Sequence, residues 1–270
     1  MSWLVLDKIV PLLTQGDPPS YQKIIAQQRD QPPAPVRWRL FWGERPIGTA
    51  ESVTLPRPER MTDIESRVDI SGLPLAQIAP AWMAPILDAM EAGEATLELE
   101  AQSVFSVDPL GRLAGFQSSL GVQGALEKIT MHGVVDGGRL RVTVRSGAYV
   151  RTTESYLPAD ALVGDALSPR ERLPDLRIGQ TWTVPVYSPF RPPNNPMEIL
   201  KATVERDELV VHEGRAVSAR LVVYRADTAQ GSRSGVRGRV WVRGDGVVLK
   251  QELMVLNSRL VFVREAAGDE

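Results

Sequence analysis

Residues Gly238–Glu265 read GRVWVRGDGVVLKQELMVLNSRLVFVRE. Val240 and Val242 alternate with Trp241 and Arg243. Beyond Gly244-Asp245-Gly246, the residues Val247, Leu249, Leu253 and Val255 share one parity and Lys250 and Glu252 the other. Side chains of a strand point alternately to its two faces, so each run has one apolar side. Asp-Gly admits the positive φ of a tight hairpin turn, and Asn257-Ser258 opens a third run. The chain therefore ends in an antiparallel meander with an apolar face, which sets the fold class.

The same pattern extends upstream. Trp38, Leu40 and Trp42 alternate with Arg37, Arg39 and Phe41, and Gly43-Glu44-Arg45-Pro46 turns the chain into Ile47–Leu55. Ile64, Val68 and Ile70 mark a third strand. Leu97, Leu99, Ala101, Ser103 and Phe105 mark another, with Glu98, Glu100 and Gln102 on its other face. Leu113–Val122, Leu126–Val135 and Leu140–Val144 follow with short turns, one of them Asp136-Gly137-Gly138. Ser146–Arg177 has weak periodicity and reads as an irregular, partly helical crossover, with Pro158 placed to open a helix. Ile178–Tyr187, Ile199–Arg206, Glu208–His212 and Val217–Arg225 complete about a dozen strands, enough that the sheet must close or be covered.

Leu75–Met90 breaks the pattern. Leu75, Ile78, Trp82, Ile86 and Met90 recur at helical spacing, interrupted by Pro80 and Pro85. The expected architecture is mainly β, a strongly curved antiparallel sheet or half-barrel over residues 36–270, with this short helix as a plug on its concave side. Residues 1–35 form an N-terminal apolar segment and a Pro-rich linker, with a short helix possible over Tyr21–Gln28. Within them, Trp3–Leu13 is too short to span a bilayer and lacks the basic leader of a signal peptide. It reads as an amphipathic helix on the domain or as the end of a membrane tether.

Composition narrows the function. The 270 residues are 43% hydrophobic with a net charge of -2, which supplies a core and no global attraction to nucleic acid or anionic lipid. There is no cysteine, hence no disulfide, thiolate metal site or cysteine nucleophile. The two histidines, His132 and His212, sit in strand patterns, and no G-x-S-x-G elbow accompanies them. Glu98 and Glu100 share a strand face, as solvated acids on an outer face commonly do. No glycine cluster forms a phosphate cradle. The sequence points to no catalytic residue, metal or cofactor.

The conspicuous residues are the tryptophans. Trp38, Trp42, Trp82, Trp182 and Trp241, with Ile86, either fill the core or line a groove for an acyl chain, since both uses need large apolar side chains facing inward. Three motifs carry a resemblance: Trp38-x-Leu40-x-Trp42 followed by Pro46-Ile47-Gly48, Leu176-x-Ile178-Gly179-Gln180-Thr181-Trp182, and Val240-Trp241-Val242-x-x-x-Gly246-x-Val248-Leu249-Lys250. Together they resemble bacterial envelope half-barrels of the lipoprotein-carrier type and the β-rich region preceding transglutaminase-like cores. The resemblance implies a periplasmic or membrane-anchored domain, without catalytic activity, that binds an apolar ligand or an envelope protein. A structural or accessory role in an envelope assembly and a hydrolase with an unrecognised site are the alternatives. The oligomeric state is left open.

Overall fold

The computed structural model describes residues 19–28, 32–74, 96–124, 127–159, 161–165, 167–187, 197–226, 235–255 and 258–266. The expected plug with Trp82 and Ile86, and the apolar segment Trp3–Leu13, lie outside the described residues. One helix, α1 (Tyr21–Gln28), precedes β1 (Val36–Trp42), β2 (Arg45–Pro56), β3 (Thr62–Pro74), β4 (Thr96–Val107), β5 (Leu113–Val122), β6 (Ile129–Asp136), β7 (Arg139–Ser146) and β8 (Tyr149–Tyr156). Then come β9 (Gly164–Asp165), β10 (Thr181–Tyr187), β11 (Met197–His212), β12 (Arg215–Ala226), β13 (Val236–Arg243), β14 (Val248–Val255) and β15 (Ser258–Arg264).

All of these strands join one curved sheet, mainly β as the alternation requires. Its order runs from β8 back to β1, crosses to β15, and continues down to β9. The first and last strands therefore pair in the middle, with Trp38 opposite Arg264 and Trp42 opposite Leu260. Neighbours are antiparallel apart from the short parallel contact of β9 with β10. The sheet curls until its two edge regions meet through side chains. Ser155 of β8 donates to Sδ of Met197 on β11 at 3.9 Å and bonds the Tyr187 hydroxyl of β10. Phe116 of β5 packs against Tyr187 with ring centres 5.1 Å apart and ring planes tilted by 44°. The result is a barrel-like wall with a side-chain seam.

Four local readings change. Tyr149–Tyr156 is a strand, not part of an irregular crossover. It carries no alternation because, as an edge strand, it is largely exposed on both faces. Ile199–Arg206 and Glu208–His212 form the single strand β11, bent by a bulge between Val204 and Arg206. Leu249 is an extra residue against the step from Trp241 to Val242, so it turns outward while Gln251 and Leu253 turn inward. The shared parity of Leu249 and Leu253 therefore does not put them on one face. Finally, the linker region contributes to the core, because Tyr21 and Ile24 of α1 are buried among the strands.

The seat of α1 rests on Gly111, in the turn between β4 and β5. Its φ is +74°, and a Cβ there would lie 2.4 Å from the Cβ of Gln22. Gly137, between β6 and β7, also has a positive φ, +54°, but open space around it. Gly137→Ala therefore carries backbone strain alone, about 1 kcal/mol. Gly111→Ala adds displacement of α1, a further 1–3 kcal/mol or so. Urea unfolding of the two variants checks the difference; equal midpoints would separate α1 from the Gly111 turn.

Candidate functional site

Four serines form a polar row on the inner face of the sheet. Ser52 of β2 stands opposite Ser66 of β3, Ser66 opposite Ser103 of β4, and Ser103 opposite Ser118 of β5. Small hydroxyl side chains in register leave room for a chain segment to lie on the sheet and supply the donors to hold it. The segment that does so is a strap formed by residues 161–165 and 167–173. Ser118 Oγ donates to Asp165 Oδ2 at 3.0 Å, and Ser66 Oγ donates to Ser168 Oγ at 2.8 Å. Ser103 Oγ bonds both Ser66 and Ser168, and the Ser52 hydroxyl faces the carboxyl of Glu171. Contacts at Asp165, Ser168 and Glu171 thus recur every third residue, and they cross three strand spacings, about 14 Å.

The strap also reaches the opposite wall. The Arg170 N–H donates to Gln251 Oε1 at 3.2 Å, the Val248 N–H donates to the Glu171 carbonyl at 3.0 Å, and Arg172 bridges to Val247. α1 ties it from above: Tyr21 donates to the Val163 carbonyl at 3.1 Å, and Gln28 Nε2 donates to Glu171 Oε2 at 2.9 Å. Trp38 Nε1 donates to Ser52 Oγ at 3.2 Å, which links the central tryptophan to the same row.

Two carboxyl groups are buried in this arrangement. Burial pushes the Asp165 carboxyl up from its ordinary value, against hydrogen bonds from the Leu167 N–H and Ser118. Burial likewise pushes Glu171 up, against Ser52, Gln28 and the positive charges of Arg264 and Arg172. Neither carboxyl has an ion pair among the described residues; Ser118 and the Leu167 N–H hold Asp165, and Ser52 and the Gln28 amide hold Glu171. Between α1 and the strap remains a cavity of about 60 Å³, lined by Tyr21, Ile24, Phe105, Asp165, Ser168 and Glu171 among others. That is space for one or two waters, well below the few hundred Å³ of ordinary ligand sites.

The tryptophans divide. Trp38 is wholly buried and has Arg264 over its ring at 5.8 Å. Trp42 and Trp182 end a second inner row, continuous across seven strands: Trp42, Leu260, Leu253, Gly238, Tyr224, Ala202, Trp182. Trp182 meets Tyr224 edge-on at 6.5 Å, and its buried N–H has no partner among the described residues. Trp241 does not join them. It packs with Leu221, Ala219 and Leu249 on the other face, donates to Glu208 Oε2 at 2.8 Å, and lies under Lys250 at 4.6 Å. One residue of parity separates it from Val240 and Val242, and that places it outside the concave side. His132 faces out between Gln117 and Thr143, and His212 stands 3.5 Å from Glu213 at a hairpin tip. Neither reaches the buried carboxyls.

Among the described residues, the fold is thus a β-barrel-like sheet whose serine row is covered by a strap of its own chain. No protein-family model and no curated protein sequence matches this chain. Among solved structures, it is similar to the β-barrel-like protein of the domain of unknown function DUF1849 from Brucella abortus. That match has a TM-score of 0.52 and 9% identity, and it covers 86% of this chain and 95% of the other. The likeness concerns the fold.

Sequence alternation flagged the tryptophans but passed over the serine row, the strap and the two carboxyls. Ser52, Ser66, Ser103 and Ser118 are visible as small residues at inward parity, yet only strand register aligns them.

Because both carboxyls are raised, the folded protein holds protons that the unfolded chain has lost. Their contribution to stability is complete below the ordinary carboxylate range and is lost as pH rises through the raised values. Asp165→Asn should flatten part of this decline, leaving the part due to Glu171; an unchanged pH profile of thermal unfolding would count against the assignment. Ser168→Ala should cost about 1–2 kcal/mol at any pH.

Proposed function

We propose that this chain is a non-catalytic accessory domain of a bacterial cell-envelope assembly that binds a partner protein through its rim. The observation that carries this reading is the strap that occupies the serine row, combined with where apolar surface is exposed. β11 and β12 continue as a hairpin past the last residues paired with their outer neighbours, Thr203 with β10 and Ala219 with β13. On this free hairpin Leu209 and Val211 are 76% and 73% exposed. Large aliphatic side chains held out on a paired, rigid hairpin suit a protein contact. The envelope location rests on the sequence resemblances, and the fold likeness to a bacterial barrel-like protein is consistent with it. The absence of catalysis rests on the separation of both histidines from the buried carboxyls.

A second reading keeps an apolar ligand, such as an acyl chain, on the row from Trp42 to Trp182. The unpartnered N–H of Trp182 and the small residues Gly238 and Ala202 between the rings favour it.

Leu209→Ser combined with Val211→Ser tests the first reading. Both positions are solvent-exposed, so stability should change by no more than about 0.5 kcal/mol. The double variant should nevertheless fail to complement a deletion strain; full complementation would remove the hairpin from the function. Titration with a fluorescent fatty acid separates the two readings. The accessory domain shows no saturable binding, whereas saturable binding weakened by Trp182→Phe would establish the ligand reading.

A further inference from the structure

Among the described residues, two buried oxygens lack a donor where α1 meets the strap: Oε1 of Gln28 and Oε1 of Glu171. They belong to side chains already joined, since Gln28 Nε2 donates to Glu171 Oε2. With an ionised carboxylate, the Gln28 amide oxygen and one carboxylate oxygen are both acceptors without a protein donor, and buried groups left so are costly. Rotating the Gln28 amide does not cure this, because it only changes which carboxylate oxygen goes without. A single proton cures it: a carboxylic acid and a primary amide each offer one donor and one acceptor on adjacent atoms.

We propose that Glu171 keeps its proton in the folded protein and donates it from Oε1 to Gln28 Oε1, closing a cyclic acid–amide pair that latches α1 onto the strap. The proton comes from solvent on folding and returns to solvent on opening.

The surroundings favour the neutral acid. Glu171 is 8% exposed. Facing it are the Ser52 hydroxyl from β2 and, behind that, Trp38 from β1. The nearby cations are occupied or lie further off. Arg264 of β15 gives NH1 to the Glu171 backbone carbonyl at 3.3 Å and lies over Trp38, and its own pKa is lowered by burial. Arg172 follows along the strap, and Arg243 and Asp245, in the turn before β14, lie around Arg264. Burial outweighs both neighbouring arginines and raises Glu171. Loss of the proton sets a carboxylate oxygen against an amide oxygen at the C-terminal end of α1. That helix keeps the Tyr21 bond to Val163, the burial of Tyr21 and Ile24 and the Gly111 contact. The latch therefore holds at low pH and releases as pH rises through the raised titration point of Glu171.

Infrared spectroscopy of the wild-type protein over a pH series should show the carbonyl band of a protonated carboxylic acid persisting above the ordinary carboxylate range. Glu171→Gln, whose amide donates to Gln28 with no proton to lose, should reduce it, and Asp165→Asn should leave the Glu171 component. In the Asp165→Asn background, amide-exchange protection of α1, corrected for intrinsic rates, should fall by up to about tenfold per pH unit above the titration point of Glu171. Adding Glu171→Gln should make it independent of pH. Absence of the acid band in the wild type, or α1 protection that does not change with pH while Glu171 is present, would overturn the latch.

Discussion

Four serines aligned across β2–β5 determine what can lie inside this sheet. A wall of fifteen strands curled on itself encloses more space than its own inward side chains fill, and a larger residue at Ser66 or Ser103 would push the strap off the wall. Hydroxyls are small enough to admit a backbone segment and polar enough to hydrogen-bond it. Asp165, Ser168 and Glu171 meet the row at intervals of three residues, so the strap is fixed in position along the wall as well as in depth. Its links to Gln251, Val247 and Val248 then join the two halves of the sheet, and this does for the interior what a continuous backbone ladder does for a closed barrel.

That solution has an electrostatic consequence. Two of the three strap residues that meet the row are acids, held by hydroxyl and amide donors rather than by ion pairs. Serine donors can stabilise an ionised carboxylate, but four hydroxyls shared among three acceptors cannot offset complete burial. Both groups are therefore raised, and the interior is most stable when protons are present. The helix α1, anchored by Tyr21 at one end and Gln28 at the other, covers the strap where Glu171 lies.

Function follows from what this interior leaves over. With the space between α1 and the strap reduced to about 60 Å³, the proposed binding surfaces are the projecting β11–β12 hairpin and the aromatic row from Trp42 to Trp182. Trp38, the most buried tryptophan, serves the polar row as a donor to Ser52. Trp241 covers the opposite face under a layer of Glu208 and Lys250.

Alternation over Trp38–Trp42, Leu97–Phe105 and Gly238–Glu265 was enough, by itself, to determine an antiparallel, mainly β chain with one inward face, because a period of two leaves no other arrangement. Composition by itself removed thiol chemistry and a histidine-rich metal centre. Alternation says only which side of a strand a residue takes, and it fails where a bulge adds a residue, as at Leu249, or where both faces meet water, as in β8. The alignment of Ser52 with Ser118 depends on the register of three successive strand pairs. The meeting of Gln28 with Glu171 spans 143 positions. Such contacts are decided by how the whole sheet curls, a sum of many small twists that no local stretch of sequence encodes, so they became visible only in the tertiary structure.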